Sequence, residues 1–288
     1  MKMIVFSKDR PFQLYTALET IEKHISGYDE LIVQYDFSNE KFYQGYEKLK
    51  KVFKDIKFVD ESTLGFAQTL HLLLQEDDSD NVTFEVDDSI YYRDIDLQVG
   101  EVALSNHFNA AKYHFGFDPS LFDESFFIKT KGHNYLGIDR LKDYGTENLN
   151  LILKYPFNVS ACIHRRKDVL NLFHRGLPKH PVDLEVKGSS DIIFNRYPYS
   201  LYHNEEVMKQ IHFNNSLDRY DQVINIDELN EYLENDEVLD INKINIDEFE
   251  DDMRWFDGED IGRFPIFPWE IAPKYHSQLV KNRRKINE

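Results

Sequence analysis

Over the first ninety residues the chain alternates two hydrophobic rhythms. Short apolar, β-branched runs at residues 3–7, 31–36, 56–60 and 82–88 predict strands, and residues 12–25, 41–53 and 66–75 between them have helical spacing. The resulting β-α-β-α-β-α-β order implies an α/β fold with a mostly parallel sheet, right-handed crossovers and ligands bound outside the carboxyl ends of the strands. Polar residues stand at those ends: Ser7-Lys8-Asp9-Arg10, Asp36, Asp60-Glu61 and Asp87-Asp88. Asp and Ser also cap helices that follow strands, so each position alone has an ordinary structural use. Four such ends converging on one edge point to a binding site.

Further helices are predicted at residues 97–108 and 166–174, the second closed by Gly176 and followed by Leu177-Pro178. Residues 118–145 read as aromatic and loop-rich, and residues 155–163 as one or two more strands. Residues 224–260 carry 15 acidic and 2 basic side chains, interrupted by Leu229, Leu233, Leu239, Ile241, Ile244, Ile246 and Phe249. That pattern predicts a segment packed on the body through an apolar face. After Pro265, Pro268 and Pro273 the chain turns basic, with Lys281, Arg283, Arg284 and Lys285.

Composition narrows the function classes. At 288 residues the chain is long enough for one or two domains with a full core, and its 41% apolar fraction, with 22 Phe and 17 Tyr, excludes a disordered chain. A net charge of -18 repels phosphate backbones, so nucleic acid is not expected as a partner. Cys162 is the only cysteine, which excludes an intrachain disulfide and a zinc site built on several thiolates. The apolar run at Met1-Lys2-Met3-Ile4-Val5-Phe6 is too short for a signal peptide, and the longest stretch without Asp, Glu, Lys or Arg, residues 62–75, is too short to span a bilayer. A cytoplasmic protein is expected. The Asn-x-Ser/Thr matches at Asn81, Asn158 and Asn214 are then fortuitous.

The sharpest chemical signal is Thr83-Phe84-Glu85-Val86-Asp87-Asp88, an apolar strand ending in two adjacent carboxylates. Mg²⁺ and Mn²⁺ take oxygen ligands, commonly one or two carboxylates completed by phosphates and water, and a strand end supplies that geometry. A bound metal would neutralise a departing nucleotide diphosphate.

With these segments in place, the sequence resembles the metal-dependent nucleotide-sugar glycosyltransferases of GT-A fold, specifically a bacterial family 2-like group associated with surface polysaccharide synthesis. The matching stretches are residues 5–14, 84–94 around the acidic pair, 155–165, 180–185 and 212–233, in order over about 230 residues. The resemblance implies a Rossmann-like GT-A domain at 1–223, with a nucleotide-binding half at 1–116 and an acceptor half at 117–223. Residues 224–288 would form an acidic, helical and then basic segment packed on it. It implies that Ser7 and Arg10 lie beside the nucleotide, with Arg10 near its diphosphate, that Asp36 faces the base or ribose, and that Phe66 and Gln68 close the pocket. Asp87 and Asp88 match the DXD-like metal motif of the fold, and His212 sits where many such enzymes place a further ligand. Mn²⁺ or Mg²⁺ and a nucleotide diphosphate sugar, a UDP-sugar first, are the implied cofactor and donor; a glycan or lipid-linked molecule is the implied acceptor.

An inverting transferase needs a base for the acceptor hydroxyl. Pro181-Val182-Asp183-Leu184-Glu185 offers Asp183 and Glu185, and the resemblance favours Glu185 through a Pro-x-x-Leu-Glu pattern. The ordinary alternative is a pair of acids at a helix start. One departure stands out: many relatives have an Asp-Gly step near the donor sugar where this chain has Ser160-Ala161, so donor identity does not carry over. Two other readings remain at this level. A nucleotidyltransferase would make nucleotide sugars on the same fold, but Ser7-Lys8-Asp9-Arg10-Pro11 lacks the Gly-rich turn such enzymes usually carry. A non-catalytic, divalent-ion-binding interaction module would use the acidic segment, which contains no EF-hand loop. The aromatic and basic C-terminus also suggests loose peripheral contact with the inner face of a membrane.

Overall fold

The computed structural model describes residues 1–116, 119–129, 135–145, 153–210, 226–239 and 279–281. Its first half runs β1 (Lys2–Lys8), α1 (Pro11–His24), β2 (Ile25–Ser26), β3 (Glu30–Asp36), α2 (Glu40–Val52), β4 (Lys57–Asp60), α3 (Phe66–Gln75) and β5 (Asn81–Val86). There follow β6 (Ser89–Tyr91), β7 (Ile95–Asp96), α4 (Gln98–Asn106), β8 (Ala110–His114), β9 (Phe127–Lys129) and β10 (Tyr135–Asp139). The second half continues with β11 (Cys162–Arg165), α5 (Arg166–Leu172), α6 (Pro181–Ser190), α7 (Ile192–Asn195), β12 (Tyr199–His203) and β13 (Met208–Gln210), and ends with α8 (Ile226–Glu234), β14 (Glu237–Leu239) and β15 (Leu279–Lys281).

A nine-stranded sheet of order β4-β3-β1-β5-β11-β8-β12-β10-β9 carries the fold. β4, β3, β1 and β5 are parallel. β11 lies antiparallel between β5 and β8, β12 is parallel to β8, and β10 and β9 close the far edge in antiparallel pairs. The expected parallel sheet thus holds for β4, β3, β1 and β5, and beyond β5 the sheet is mixed.

Strands covered by helices on both faces need apolar side chains at every position, which is why β1 reads as a continuous run. Met3 and Val5 enter one core with Leu14 and Leu18 of α1, Tyr46 and Leu49 of α2 and Leu229 and Leu233 of α8. Ile4 and Phe6 enter the opposite core with Leu70 and Leu74 of α3, Val169 of α5, Leu184 of α6 and Phe194 of α7. A smaller cluster of Phe122, Ile138, Tyr144, Leu153 and Tyr202 lies under the far edge. Pro11 opens α1 at its first position, where no backbone donor is lost, and Asn39 caps α2 by accepting from Phe42 N at 3.2 Å. Gly65 precedes α3 at φ +79 with open space around its Cβ position, so backbone conformation alone calls for glycine there.

Several expectations need correcting. Residues 118–145, read as loop, contain β9 and β10. Residues 155–163 contribute only the start of β11, because the stretch before Cys162 is an irregular loop that ends with Ala161 at φ +48. Neither β8 nor β12 was expected. At the C-terminus, α8 packs its apolar face on α1 and α2: Tyr232 meets Phe12 with ring centroids 6.3 Å apart, and Lys48 Nζ donates to Leu233 O at 2.5 Å. The rest of the acidic segment and most of the basic end lie outside the described residues.

Candidate active site

In the order β4-β3-β1-β5 the chain leaves β1 toward β3 on one side and later returns to β5 on the other. The crevice between the carboxyl ends of β1 and β5 is therefore a topological switch point. The turn after β1 and the turn after β5 meet there. Asp9 holds φ +56 in the first turn, with its N–H donating to Asp36 O at 3.2 Å and its Oδ1 accepting from Ser38 N at 2.6 Å. That turn aims Arg10 across the crevice. Its Nη1 lies 3.1 Å from Asp87 Oδ1 and 3.3 Å from Asp88 Oδ2, and all three side chains are buried. Tyr46 of α2 fixes the turn from below: its hydroxyl accepts from Arg10 N at 3.2 Å and shares a hydrogen bond with Ser7 Oγ at 2.8 Å.

Charge in this cluster is unevenly matched, with two carboxylates against one guanidinium. Burial raises the Asp87 carboxyl above the usual range, Arg10 opposes the rise and Asp88 adds to it. Burial works against the charge of Arg10, but Asp87 and Asp88 outweigh it, so the guanidinium is held more firmly protonated than usual. Asp36 sits beside this cluster at the end of β3, half-buried and paired with Lys8 Nζ at 2.6 Å. That hydrogen bond raises Lys8, against a smaller opposing effect of burial. Phe66 and Gln68 do not join the cluster. The Phe66 ring is buried 5.3 Å from that of Phe6, and its carbonyl accepts from Gln34 Nε2 at 3.0 Å; Gln68 is exposed.

The loop preceding β11 brings a second group of side chains to the same edge, since β11 is antiparallel to β5 and its start lies beside the end of β5. Ser160 Oγ donates to Glu85 Oε1 at 3.2 Å and accepts from Gln210 Nε2 at 2.8 Å. Glu85 is fully buried and also accepts from Val86 N at 2.8 Å, from Ser89 Oγ at 2.6 Å and, in a close contact, from the Tyr91 hydroxyl. Burial pushes its carboxyl up to about 7, against the pull of those donors. Gly116, just beyond β8, lies against the loop: a Cβ there would stand 2.5 Å from Ala161 Cβ.

Glu185 reaches the same loop from α6. Its Oε1 accepts from Asn158 Nδ2 at 3.2 Å, and Asn158 Oδ1 is in close contact with Nζ of the buried Lys112. Burial raises the Glu185 carboxyl, more than its neighbours Val159, Lys112 and Asn158 lower it. Asp183 is a different kind of acid. It salt-bridges Lys187 at 2.8 Å, accepts from Lys179 N at 2.8 Å and sits in a first turn capped by His180, and the Lys187 bond holds it below its ordinary value. Burial pushes the Cys162 thiol up, which leaves it no character as a nucleophile.

The structure thus brings Ser7, Arg10, Asp87 and Asp88 together and puts Asp36 beside them. Glu185 stands on the far side of the 158–161 loop, and Asp183 is occupied by its own helix. His212 lies outside the described residues. Among the described residues no group of three His, Cys, Asp or Glu side chains is placed to hold a metal ion. The Asp87-Asp88 pair still suits one: two buried hard-oxygen ligands already draw a cation, the Arg10 guanidinium, between them. Glu85, Lys112, Asn158 and Tyr46 escaped the sequence reasoning. The one available signal was an acid at position 85 inside an otherwise apolar strand.

No protein family profile matches the chain. Among curated proteins it is similar to the bifunctional glycosyltransferase pgtA of Dictyostelium discoideum, with 26% identity over 281 residues. The match covers 83% of this chain and 36% of that protein, so the chain spans about a third of the relative's length. Among solved structures it is similar to S. aureus TarS 1-349 in complex with UDP-GlcNAc, at TM-score 0.46 and 14% identity, covering 80% of this chain and 64% of that one. A CMP:2-keto-3-deoxy-manno-octonic acid synthetase complexed with CTP is similar at TM-score 0.43 and 11% identity, covering 73% of this chain and 92% of that one. The architecture is of the α/β class expected from the sequence, a central sheet with its cores and helices on both faces.

Proposed function

We propose that the protein is a nucleotide-sugar glycosyltransferase, metal-dependent and inverting, acting on a glycan or lipid-linked acceptor. The observation that carries this reading is the Arg10, Asp87 and Asp88 cluster at the β1–β5 switch point, where an open α/β sheet binds its ligand. Similarity to a glycosyltransferase over most of the chain supports it.

In this reading the donor diphosphate lies over the crevice, with Arg10 as its cationic partner and Ser7 and Asp36 on the nucleoside side. Asp87 and Asp88 would hold a Mg²⁺ or Mn²⁺ ion, which when bound neutralises charge on the leaving diphosphate. Glu185 takes the proton of the acceptor hydroxyl as that oxygen bonds to the anomeric carbon. The bond from that carbon to the diphosphate breaks, and its electron pair leaves with the diphosphate. A carboxyl raised by burial is the stronger base, and Glu185 has that environment while Asp183 does not.

The test is release of nucleotide from a panel of nucleotide sugars, UDP-sugars first, with and without Mn²⁺ or Mg²⁺. One or a few donors should turn over with metal present, and folded Asp88→Asn should lose both that turnover and metal-dependent nucleotide binding. A folded wild-type chain that neither binds nor turns over any donor removes the transferase reading. Full turnover in Asp88→Asn removes the metal assignment alone.

A further inference from the structure

We propose that Arg10 is a built-in cation that occupies the metal position of the Asp87-Asp88 pair until the nucleotide arrives, so that metal ion and diphosphate bind as a coupled pair. This rests on the reading of Asp87 and Asp88 as metal ligands. A single nitrogen, Arg10 Nη1, approaches an oxygen of each carboxylate, at 3.1 and 3.3 Å, and so stands between the two groups that would share the ion. A divalent ion bound there would lie at contact distance from a guanidinium that cannot lose its proton. Both are cations in a buried setting, where repulsion is far stronger than in water. The guanidinium must therefore leave when the ion enters.

The turn itself does not depend on that salt bridge. The Arg10 backbone is tied down separately, its N–H to the Tyr46 hydroxyl and its carbonyl to Leu14 N at 3.0 Å, directly ahead of Pro11. Only the side chain needs to rotate. Its planar fork of donors matches phosphate oxygens, so a diphosphate at the crevice offers the departing guanidinium a new partner. Without nucleotide, ion binding must displace Arg10 from both carboxylates with no phosphate to receive it. With nucleotide, the same move gains charge-assisted hydrogen bonds. Coupling of this kind is reciprocal: nucleotide strengthens metal binding by the factor by which metal strengthens nucleotide binding.

The experiment is titration of the full chain with Mn²⁺, followed by electron paramagnetic resonance, with and without UDP, for wild type, Arg10→Gln, Arg10→Lys and Asp88→Asn. Wild type should bind Mn²⁺ weakly alone and more tightly with UDP. Arg10→Gln should bind Mn²⁺ alone more tightly than wild type, on the order of tenfold to a hundredfold, the weight of a charge-assisted contact removed from the competitor. Arg10→Lys, still cationic but without the fork, should fall between. Should Arg10→Gln be destabilised by loss of the guanidinium from between the two carboxylates, Mn²⁺ alone should raise its Tm by more than it raises that of wild type. Wild-type Mn²⁺ affinity that is already high without UDP and unaltered in Arg10→Gln would overturn the proposal, provided Asp88→Asn abolishes the binding. Absence of Mn²⁺ binding in every protein, with and without UDP, would overturn it together with the metal assignment.

Discussion

Glu85 is the most consequential buried acid near the site, and Glu85→Gln isolates its charge. Its carboxyl is fully buried and stands at about 7 in the folded chain, against 4.5 for an ordinary glutamate. Below 4.5 the side chain is protonated in both folded and unfolded chains and carries no penalty. Between 4.5 and 7 the unfolded chain releases the proton while the folded chain keeps it, so stability falls as pH rises; above 7 the whole cost is present. At ~1.36 kcal/mol per pH unit the cost comes to about 3 kcal/mol, most of which develops between pH 5 and pH 8.5. Gln has the same shape and stays neutral. Its amide oxygen can keep the bonds from Val86 N, Ser89 and Ser160, and its NH₂ can donate to the Tyr91 oxygen. Any hydrogen-bond mismatch is then an offset independent of pH.

The assay is urea unfolding of both proteins at half-unit steps from pH 5 to pH 9, with the difference in unfolding free energy plotted against pH. Asp87, Glu61 and Glu185 also have raised carboxyls, but they are common to both proteins and cancel to first order in the difference. The variant should gain on wild type by about 2 to 3 kcal/mol from pH 5 to pH 8.5. A flat difference would mean that Glu85 ionises as readily in the folded chain as in the unfolded one. A difference of opposite slope would mean that its four donors hold it ionised, and either result refutes the reasoning.

The remaining predictions concern turnover and attachment. Glu185→Gln should lower turnover on the order of 10² to 10⁴ with donor binding little altered, while Asp183→Asn costs helix stability through Lys187 and leaves turnover close to wild type. Steady-state kinetics on both variants decide the assignment, and the reverse pattern would move the base to Asp183. The basic end should give weak, salt-sensitive binding to anionic liposomes that is lost in a chain ending at Ser277, each cation near the surface contributing about 1 kcal/mol. Equal sedimentation of full-length and shortened chains would reject the tail as an anchor.

What could be read from the sequence follows the physics of burial. β1, β3 and β5 are covered on both faces, so their apolar runs announce them, and α3 runs from Phe66 to Gln75 as its spacing predicts. The strands that escaped carry buried polar side chains: Lys112 in β8 and Ser200 in β12. Each breaks the apolar pattern, and Lys112 is accommodated by distant chain. Lys112 meets Asn158, 46 residues on, and the Tyr202 ring at 5.6 Å. The site divides in the same way. Asp87 and Asp88 were visible because two acids end an apolar run, and Arg10 because it follows β1. Their mutual pairing, across 77 and 78 residues, was not visible, since contact between two strand ends depends on which strands are neighbours.

The departure at Ser160-Ala161 becomes intelligible beside Glu85. Ala161 holds φ +48, in the left-handed region that glycine enters without strain, so this backbone would accept the glycine of an Asp-Gly step. The side chain before it has changed partners. Ser160 Oγ stands 3.2 Å from Glu85 Oε1 as a donor, and an Asp there would face the buried Glu85 with a second acceptor, where like charges repel and one carboxyl is held protonated. Glu85 and an acid at position 160 are therefore alternatives, and this chain carries the acid on β5. The loop is held by Glu85 through Ser160 on one side, and its Asn158 amide meets Glu185 on the other. It thereby connects the strand that ends in Asp87-Asp88 to the helix bearing the proposed base. Loosening Glu85 should consequently disturb both at once, although it lies two residues before the nearer acid.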